Sequence, residues 1–380
     1  MFGIKSVLYF DKYFKIDPEY KKHPGVFQID FMTDGDIYSY GFAIKYLTNE
    51  IVSEWLIRIE TNGEEKSIFE RDENSHIESR IQYKDEFDKK RFSVYSEDLQ
   101  PGELFLNVIG TKNLDKDSEL YDIKKAYEWF KKIIIVYPDS HKIDKVGYFL
   151  NEQPYTQELA GLLNAFDTGI KDIVKSKQSI EKAFSFLPEK TKNRKLSEIE
   201  QSLRDSASGK KSLEVKIKDR QFEITAEDGK ILAAKIMTDH GNPHELFELS
   251  DESDGTKRLF DLIPLYDLGK AGKIIIIDEL DRSFHVKLTT DFVRHFFRTT
   301  KDCACQLICT THDLSLMNLN LLRPDEIWFV ERDSDHSSKL YSLNDFKQNF
   351  DNTDVMTDYL IGRYGAIPHI VVEDESENRL

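Results

Sequence analysis

The sequence predicts an α/β fold joined to an antiparallel β-rich lobe and a helical insertion. Three observations carry that expectation. Residues 273–285, KIIIIDELDRSFH, run four isoleucines into two adjacent carboxylates, as a buried strand does when it ends at a polar edge. Around it, strand-like and helix-like stretches alternate, as in a sheet covered by helices. Upstream, residues 26–110 alternate apolar with polar side chains and are punctuated by Asp34-Gly35 and Asn62-Gly63, whose residues tolerate the positive φ of hairpin turns.

The alternation over 26–110 implies a meander of antiparallel strands with one face packed and the other wet. ELYDIKKAYEWFKK (119–132) follows at helical spacing, with Ile123, Tyr127 and Phe130 on one side, and IIIVYP (133–138) reads as a short buried strand. Residues 156–206 read as two polar helical stretches separated near Pro188, the second a solvated arm, a mobile insertion or a plain surface helix. SLEVKIKDRQFEITAEDGKILAAKIM (212–237) returns to alternation, with a hairpin at Asp228-Gly229. The expected order from there is helix 255–270, kinked or shortened at Pro264, strand 273–277, helix 285–299, strand 306–310 and strand 326–331. The domain boundaries this implies are a β-rich lobe at 1–112, a helical region at 113–211 and an α/β lobe at 212–380.

At 380 residues the chain has room for two domains, and 39% hydrophobic and 12% aromatic content supply a core without difficulty. A net charge of -16 excludes a surface that is basic throughout. It leaves room for a local basic patch, such as Lys190, Lys192, Arg194 and Lys195, whose plainer reading is a solvated charge run. Cys303, Cys305 and Cys309 lie in one apolar run without metal or disulfide spacing, so buried thiols in a reducing compartment are expected. The first twenty residues lack a signal-peptide core, and no run approaches the roughly 20 apolar residues of a membrane span. A cytoplasmic protein is the expectation.

A run of four isoleucines suits a strand buried on both faces of a parallel sheet, and ligands of such sheets sit beyond the carboxyl ends of the strands. Asp278 is thus placed to hold Mg²⁺, an ion that takes oxygen ligands and keeps several waters. Glu279 beside it is placed to polarise an attacking water as general base. The plainer reading of both is a cap on the next helix. QLICTTHD (306–313) ends a second strand in Thr310, Thr311 and His312, a histidine that either senses a γ-phosphate or is structural. In ELSDESDGTKRLFDLIPLY, Ser253, Gly255 and Thr256 open an amphipathic helix striped with Leu259, Leu262, Ile263 and Tyr266. Such a turn presents N–H groups and a positive dipole end that suit phosphate; taken alone it is an N-cap.

Together and in this order, these segments resemble the ABC-class ATPases, in the soluble branch of chromosome-maintenance and DNA-repair ATPases. ESDGTKR is similar to the signature turn, IIIIDE to Walker B, LDRSFH to the D-loop and TTHD to the switch histidine. The wording is closer still to bacterial abortive-infection ATPases of the AbiLi type, AAA-family proteins whose ending YLIGRYGAIPHI (359–370) resembles, and DGDIYSYGF…VSEWL resembles their β-rich stretch. The resemblance covers 245–370 well and the N-terminal strands more weakly. It implies an ABC-type core sheet, ATP and Mg²⁺ as ligands, and ATP sandwiched in a dimer. Ser253, Gly255 and Thr256 would then contact the γ-phosphate held by the other subunit, and Asp281 would lie at the dimer seam. It also implies control of an effector, often a nuclease, in phage defence, with DNA repair as the alternative. Asp254 and Thr256 depart from the glycine and glutamine usual in transporters, so transporter detail does not carry over.

A phosphate loop requires GxxxxGK followed by Ser or Thr, and the 380 residues contain no match. The nearest stretch, SASGKKS (206–212), lacks the first glycine and has Lys211 where the hydroxyl belongs. Three readings follow: a shortened or internally started form of a longer ATPase, a loop supplied by another polypeptide, or a member that signals without hydrolysis. On each, ATP binding by this chain alone is expected to be weak or absent. A non-hydrolytic scaffold that docks a partner through 156–206 is the competing function class.

Overall fold

A computed structural model describes residues 12–84, 86–138, 153–204, 212–217, 220–227, 230–350 and 353–368. The chain is mixed α/β, with antiparallel sheets, one short sheet containing a parallel pair, and helices. By contact it divides into two compact units, one through Ile133 together with Ser334–Ser337, the other holding the rest from Ile134 on.

The first unit is built on a five-stranded sheet, β1 (Gly25–Thr33), β2 (Asp36–Lys45), β3 (Glu50–Ile59), β4 (Glu65–Arg71) and β5 (Ile77–Ser79), in sequential order. Asp34 (φ 52°) and Gly35 (φ 85°) form the β1–β2 turn, both in the left-handed region that the Asp-Gly pair was expected to supply. The meander ends earlier than its alternation suggests. Residues 86–110 instead form α1 (Glu86–Glu97) and α2 (Phe105–Gly110), followed by α3 (Tyr121–Phe130). Phe92, Phe105 and Ile109 of these helices are buried, so apolar residues that mimicked strand alternation serve helix packing instead. Trp129 stacks on Phe31 at 4.1 Å between ring centroids. Asp122 of α3 accepts from Tyr38 Oη at 2.8 Å and Arg58 Nη1 at 2.9 Å, tying the helix to β2 and β3.

From β6 (Ile133–Val136), whose residues from Ile134 on belong to the second unit, the chain continues through α4 (Gln153–Ala165), β7 (Asp172–Ser179), α5 (Ile180–Ala183) and α6 (Glu189–Arg204). Then come β8 (Ser212–Ile217), β9 (Arg220–Glu227), β10 (Lys230–Asp239) and β11 (Phe247–Glu248). The expected two helical stretches of 156–206 therefore enclose a strand, β7, which pairs antiparallel with β10 from Asp172↔Asp239 to Ser179↔Leu232. Its lysine-rich sequence masked it, because pairing rather than composition decides an interior strand. The expected hairpin joins β9 to β10, with its Asp228-Gly229 tip outside the described residues, and a second hairpin, β8–β9, adds to it. These elements bury their own core, with Phe184 and Ile224 fully covered and Ile199 of the charged helix α6 only 3% exposed.

The remaining elements are α7 (Asp254–Leu262), α8 (Leu265–Lys270), β12 (Ile274–Ile277), α9 (Val286–Thr299), β13 (Gln306–Cys309), β14 (Trp328–Arg332), β15 (Ser338–Ser342) and α10 (Val355–Leu360). Pro264 divides the expected helix 255–270 into α7 and α8, since proline supplies no N–H to continue the ladder. β12 lies between β13 and β6. Ile275 and Ile277 are fully buried, whereas Ile308 and Ile135, on the opposite face, are 46% and 42% exposed. The expected burial of the isoleucine strand on both faces is thus corrected to full burial on one. Strand 326–331 was expected in the α/β alternation; it forms instead, as β14, a separate antiparallel hairpin with β15. The expected buried thiols are corrected to half-buried ones: Cys309 lies in β13, where burial pushes its thiol up to about 11, Cys303 and Cys305 precede the strand, and all three are free and only partly covered. Residues 206–211 of the nearest phosphate-loop candidate, and 369–370 of the closing stretch, lie outside the described residues. Among the described residues no helix is long and apolar enough to cross a membrane.

Glu54, 1% exposed on β3, caps α2 from across the first unit. It accepts from the Phe105 and Leu106 amides at 2.7 and 2.9 Å and from Tyr40 Oη at 3.0 Å, where Leu104 at the helix start offers no side-chain cap. Burial pushes its carboxyl up to about 7, against the lowering pull of those donors and of Arg71. The folded chain therefore retains a proton that the unfolded chain releases above about pH 4.5. That stabilisation is complete below pH 4.5 and is lost as pH rises through 7, on the order of 3 kcal/mol in all. Denaturant titrations should show it as a falling stability over that window, absent in Glu54→Gln. Glu54→Leu should destabilise by about 1–3 kcal/mol for each orphaned donor.

Candidate functional site

β12 and β13 run parallel with Ile277 opposite Cys309, so their next residues, Asp278 and Thr310, emerge side by side at the carboxyl edge. Thr310 holds that edge together. Its Oγ1 donates to Asp278 Oδ1 at 2.7 Å and accepts the Glu279 amide at 2.8 Å. Its carbonyl accepts the Leu280 amide at 3.0 Å, and its own amide donates to Ile277 O at 3.0 Å. On the other side, the Asp278 amide donates to Val136 O of β6 at 2.9 Å. Glu279 sits at φ 50°, an uncommon conformation for a residue with a Cβ, and the bonds from Thr310 to it and to Leu280 offset that strain. Its carboxylate lies 3.9 Å from Arg282, with both side chains nearly half exposed, a pair worth little in stability.

Asp281 ties this turn to the loop after β13. Its Oδ1 accepts from Thr311 Oγ1 at 2.7 Å and from the His312 amide at 3.1 Å. The His312 side chain is exposed at the same edge. Leu280, fully buried, anchors the turn in the core of this unit.

Ser253 caps α7, its Oγ accepting the Thr256 amide at 3.1 Å and sharing a 2.9 Å hydrogen bond with Thr256 Oγ1. A Cβ at Gly255 would stand 2.8 Å from the Ser283 carbonyl, so the absence of a side chain lets the first turn of α7 rest on the turn that follows Asp281. Behind it Glu252, 9% exposed, accepts from Thr238 Oγ1 of β10 and lies 2.9 Å from His240 Nε2. The expected residues Ser253, Gly255, Asp278, Glu279, Asp281 and His312 are therefore brought together by three short loops. Thr256 is instead buried, at 7% exposure, with its amide and hydroxyl turned to Ser253, so it serves the cap and not the surface.

Three contributors carry no comparable sequence signal. Thr310 is one of two adjacent threonines, and nothing in the sequence distinguishes it from its neighbour. Glu252 reads as part of an acidic run. Arg258, one turn beyond Gly255 on α7, is 5% exposed, reaches Tyr137 O at 3.5 Å, and leaves Nε and Nη2 buried without an acceptor among the described residues. Burial pulls its pKa below the usual guanidinium range, with Asp261 opposing.

For a metal, no group of three His, Cys, Asp or Glu side chains gathers among the described residues. Mg²⁺ does not need one, since it takes one or two carboxylates and fills its octahedron with waters and substrate phosphates. Asp278 suits that mode: one oxygen is oriented by Thr310 and, among the described residues, the other takes no donor.

No curated protein sequence matches the chain. Among solved structures it is similar to an SMC head bound to the C-winged helix domain of ScpA, at 10% identity over 81% of this chain and 74% of that chain, TM-score 0.29. It is similar also to the SMC head domain from Thermotoga maritima, at 14% identity over 81% and 74%, TM-score 0.27. A third is an Smc head with an extended coiled coil bound to the C-terminal domain of ScpA from Pyrococcus furiosus, at 11% identity over 81% and 77%, TM-score 0.24. A family model described as "AAA domain, putative AbiEii toxin, Type IV TA system" matches residues 5–318, which is most of the chain, and the protein belongs to that family.

Proposed function

We propose that the chain supplies the metal-and-base edge and the signature turn of an ATPase that works as an ATP-sandwiched dimer. The observation that carries this reading is the Thr310 clamp, which holds Asp278 and Glu279 in adjacent, differently oriented positions at a sheet edge. Asp278 would hold Mg²⁺, which would supply Lewis-acid charge neutralisation at the phosphates. Glu279 would take the proton of the attacking water, and its exposure leaves it open to solvent. His312 would donate to the γ-phosphate. Ser253 and Gly255 would meet the phosphates held by the partner subunit at the start of α7, with Thr256 behind them holding the Ser253 cap and Asp281 at the seam.

No GxxxxGK[ST] loop occurs in the 380 residues, so in this reading turnover requires phosphate-wrapping contacts from another segment or polypeptide, and a member that signals without hydrolysis is the alternative. The family's description, a toxin of a type IV toxin–antitoxin system, supports a role in phage defence in which ATP turnover restrains or releases an effector such as a nuclease. A DNA-binding role gains less support. In the basic cluster of α6, Lys192 pairs with Glu189 at 3.4 Å and Lys195 with Glu198 at 2.7 Å, while Arg194 approaches Glu198 at 3.8 Å.

Calorimetry on the 380-residue chain should give no tight ATP binding; tight binding would overturn the division of labour proposed here. With the phosphate-loop portion present, Glu279→Gln should lower turnover by about 10²–10⁴-fold and trap a nucleotide-bound dimer seen by light scattering. Unchanged turnover would remove Glu279 from the base role. In the same assembly Thr310→Val should cost no more than about 0.5–1.5 kcal/mol of stability, because the bonds it removes are solvent-exposed, and raise the Mg²⁺ concentration needed for half-maximal turnover. Wild-type Mg²⁺ dependence in that variant would mean that the clamp does not orient Asp278.

A further inference from the structure

β1 is the edge strand of the first unit, nine residues long, and among the described residues no strand pairs with its outer side. Edge strands are commonly guarded by lysine, proline, a bulge or short length. β1 has none of these guards: its sequence GVFQIDFMT carries one charge, Asp30, and its register with β2 runs unbroken from Gly25↔Ile44 to Thr33↔Asp36. It is also strongly apolar where it meets water. Val26 is 63% exposed, Met32 68%, Phe27 48% and Ile29 38%.

The order of these residues is close to a palindrome about Ile29. Placing a second copy antiparallel along the free edge, with the twofold axis at Ile29, sets Val26 against Met32, Phe27 against Phe31, and Gln28 against Asp30. Each apolar side chain meets an apolar one on the same face, because partners differ by an even number of residues. The single charge meets an amide rather than its own copy, and Asp30 already accepts from Gln28 Nε2 at 3.4 Å within the strand. A slip of one residue in either direction loses these matches. We propose that β1 is a self-association edge, through which two copies of this chain join their five-stranded sheets into one continuous ten-stranded antiparallel sheet. This contact lies in the first unit, needs no nucleotide, and is independent of an ATP-sandwiched pairing through the Ser253 turn.

Sedimentation equilibrium of the full chain without nucleotide should show a monomer–dimer equilibrium. In the proposed register V26K/M32K places like charges directly opposite each other, which is unfavourable in a sheet, and should raise the dimer dissociation constant at least tenfold. V26K/M32E instead sets a positive charge at position 26 against a negative one at position 32 of the second copy, and should restore association toward the wild-type value. Within one chain those positions are six residues apart and cannot pair, so the rescue reads the intermolecular register and not stickiness or folding. A third variant, I29C, should form an intermolecular disulfide on mild oxidation, because the two introduced thiols would face each other on the axis. A monomer at all concentrations, equal association in both double variants, or no cross-link in I29C would overturn the proposal. Circular dichroism of each variant establishes folding, and positions 26 and 32 both face solvent rather than the core.

Discussion

The hydroxyl and backbone of Thr310 are the constraint on which the candidate site depends. Two parallel strands place their last residues next to each other, but adjacency alone does not orient a carboxylate. Thr310 directs its donor to Asp278 and its lone pair to the Glu279 amide, so one side chain fixes the direction of the first acid and the backbone of the second. The left-handed conformation of Glu279 follows. It sends consecutive carboxylates to different positions, which an extended strand would do only by pointing them to opposite faces. A metal ligand and a base need this arrangement: near each other, yet not competing for the same space.

From that clamp the rest of the edge is built by contact rather than by covalent sequence. Asp281 joins the turn after β12 to the loop after β13, and Gly255 lets α7 settle on Ser283. Glu252 then links the start of α7 back to β10. Each step replaces a solvent contact of a loop amide or carboxylate with a protein contact. The loops are thereby held without the burial that would block a ligand. The first unit uses the same device for stability, with Glu54 of β3 capping a helix that begins about fifty residues later.

Much of the site was legible beforehand because its residues cluster at the ends of strongly apolar strands and at the start of a strongly amphipathic helix. Four isoleucines before Asp278 and the Leu259–Tyr266 stripe after Ser253 are patterns that few alternatives satisfy. Arg258 was not legible, since an arginine in a helix is ordinarily a surface residue and its burial depends on what packs over it. The strand β7 was missed for a related reason. Lys175 and Lys177 fall in a stretch whose polarity reads as helical until β10 pairs with it, and the helices of 86–110 were hidden by apolar residues that happen to alternate.

The sequence by itself determined which residues could form a polar edge, the apolar strands leading to it, the turns at Asp34-Gly35 and the break at Pro264. These depend on local properties: side-chain polarity, periodicity and the φ preferences of glycine, aspartate and proline. Only the tertiary structure decided that Thr310 would clamp Asp278 and Glu279, that one face of the isoleucine sheet would be covered and the other left partly open, and that β1 would stand at an edge. Hydrogen-bond partners and solvent exposure are set by residues distant in the chain. No local pattern encodes them until the strands are paired.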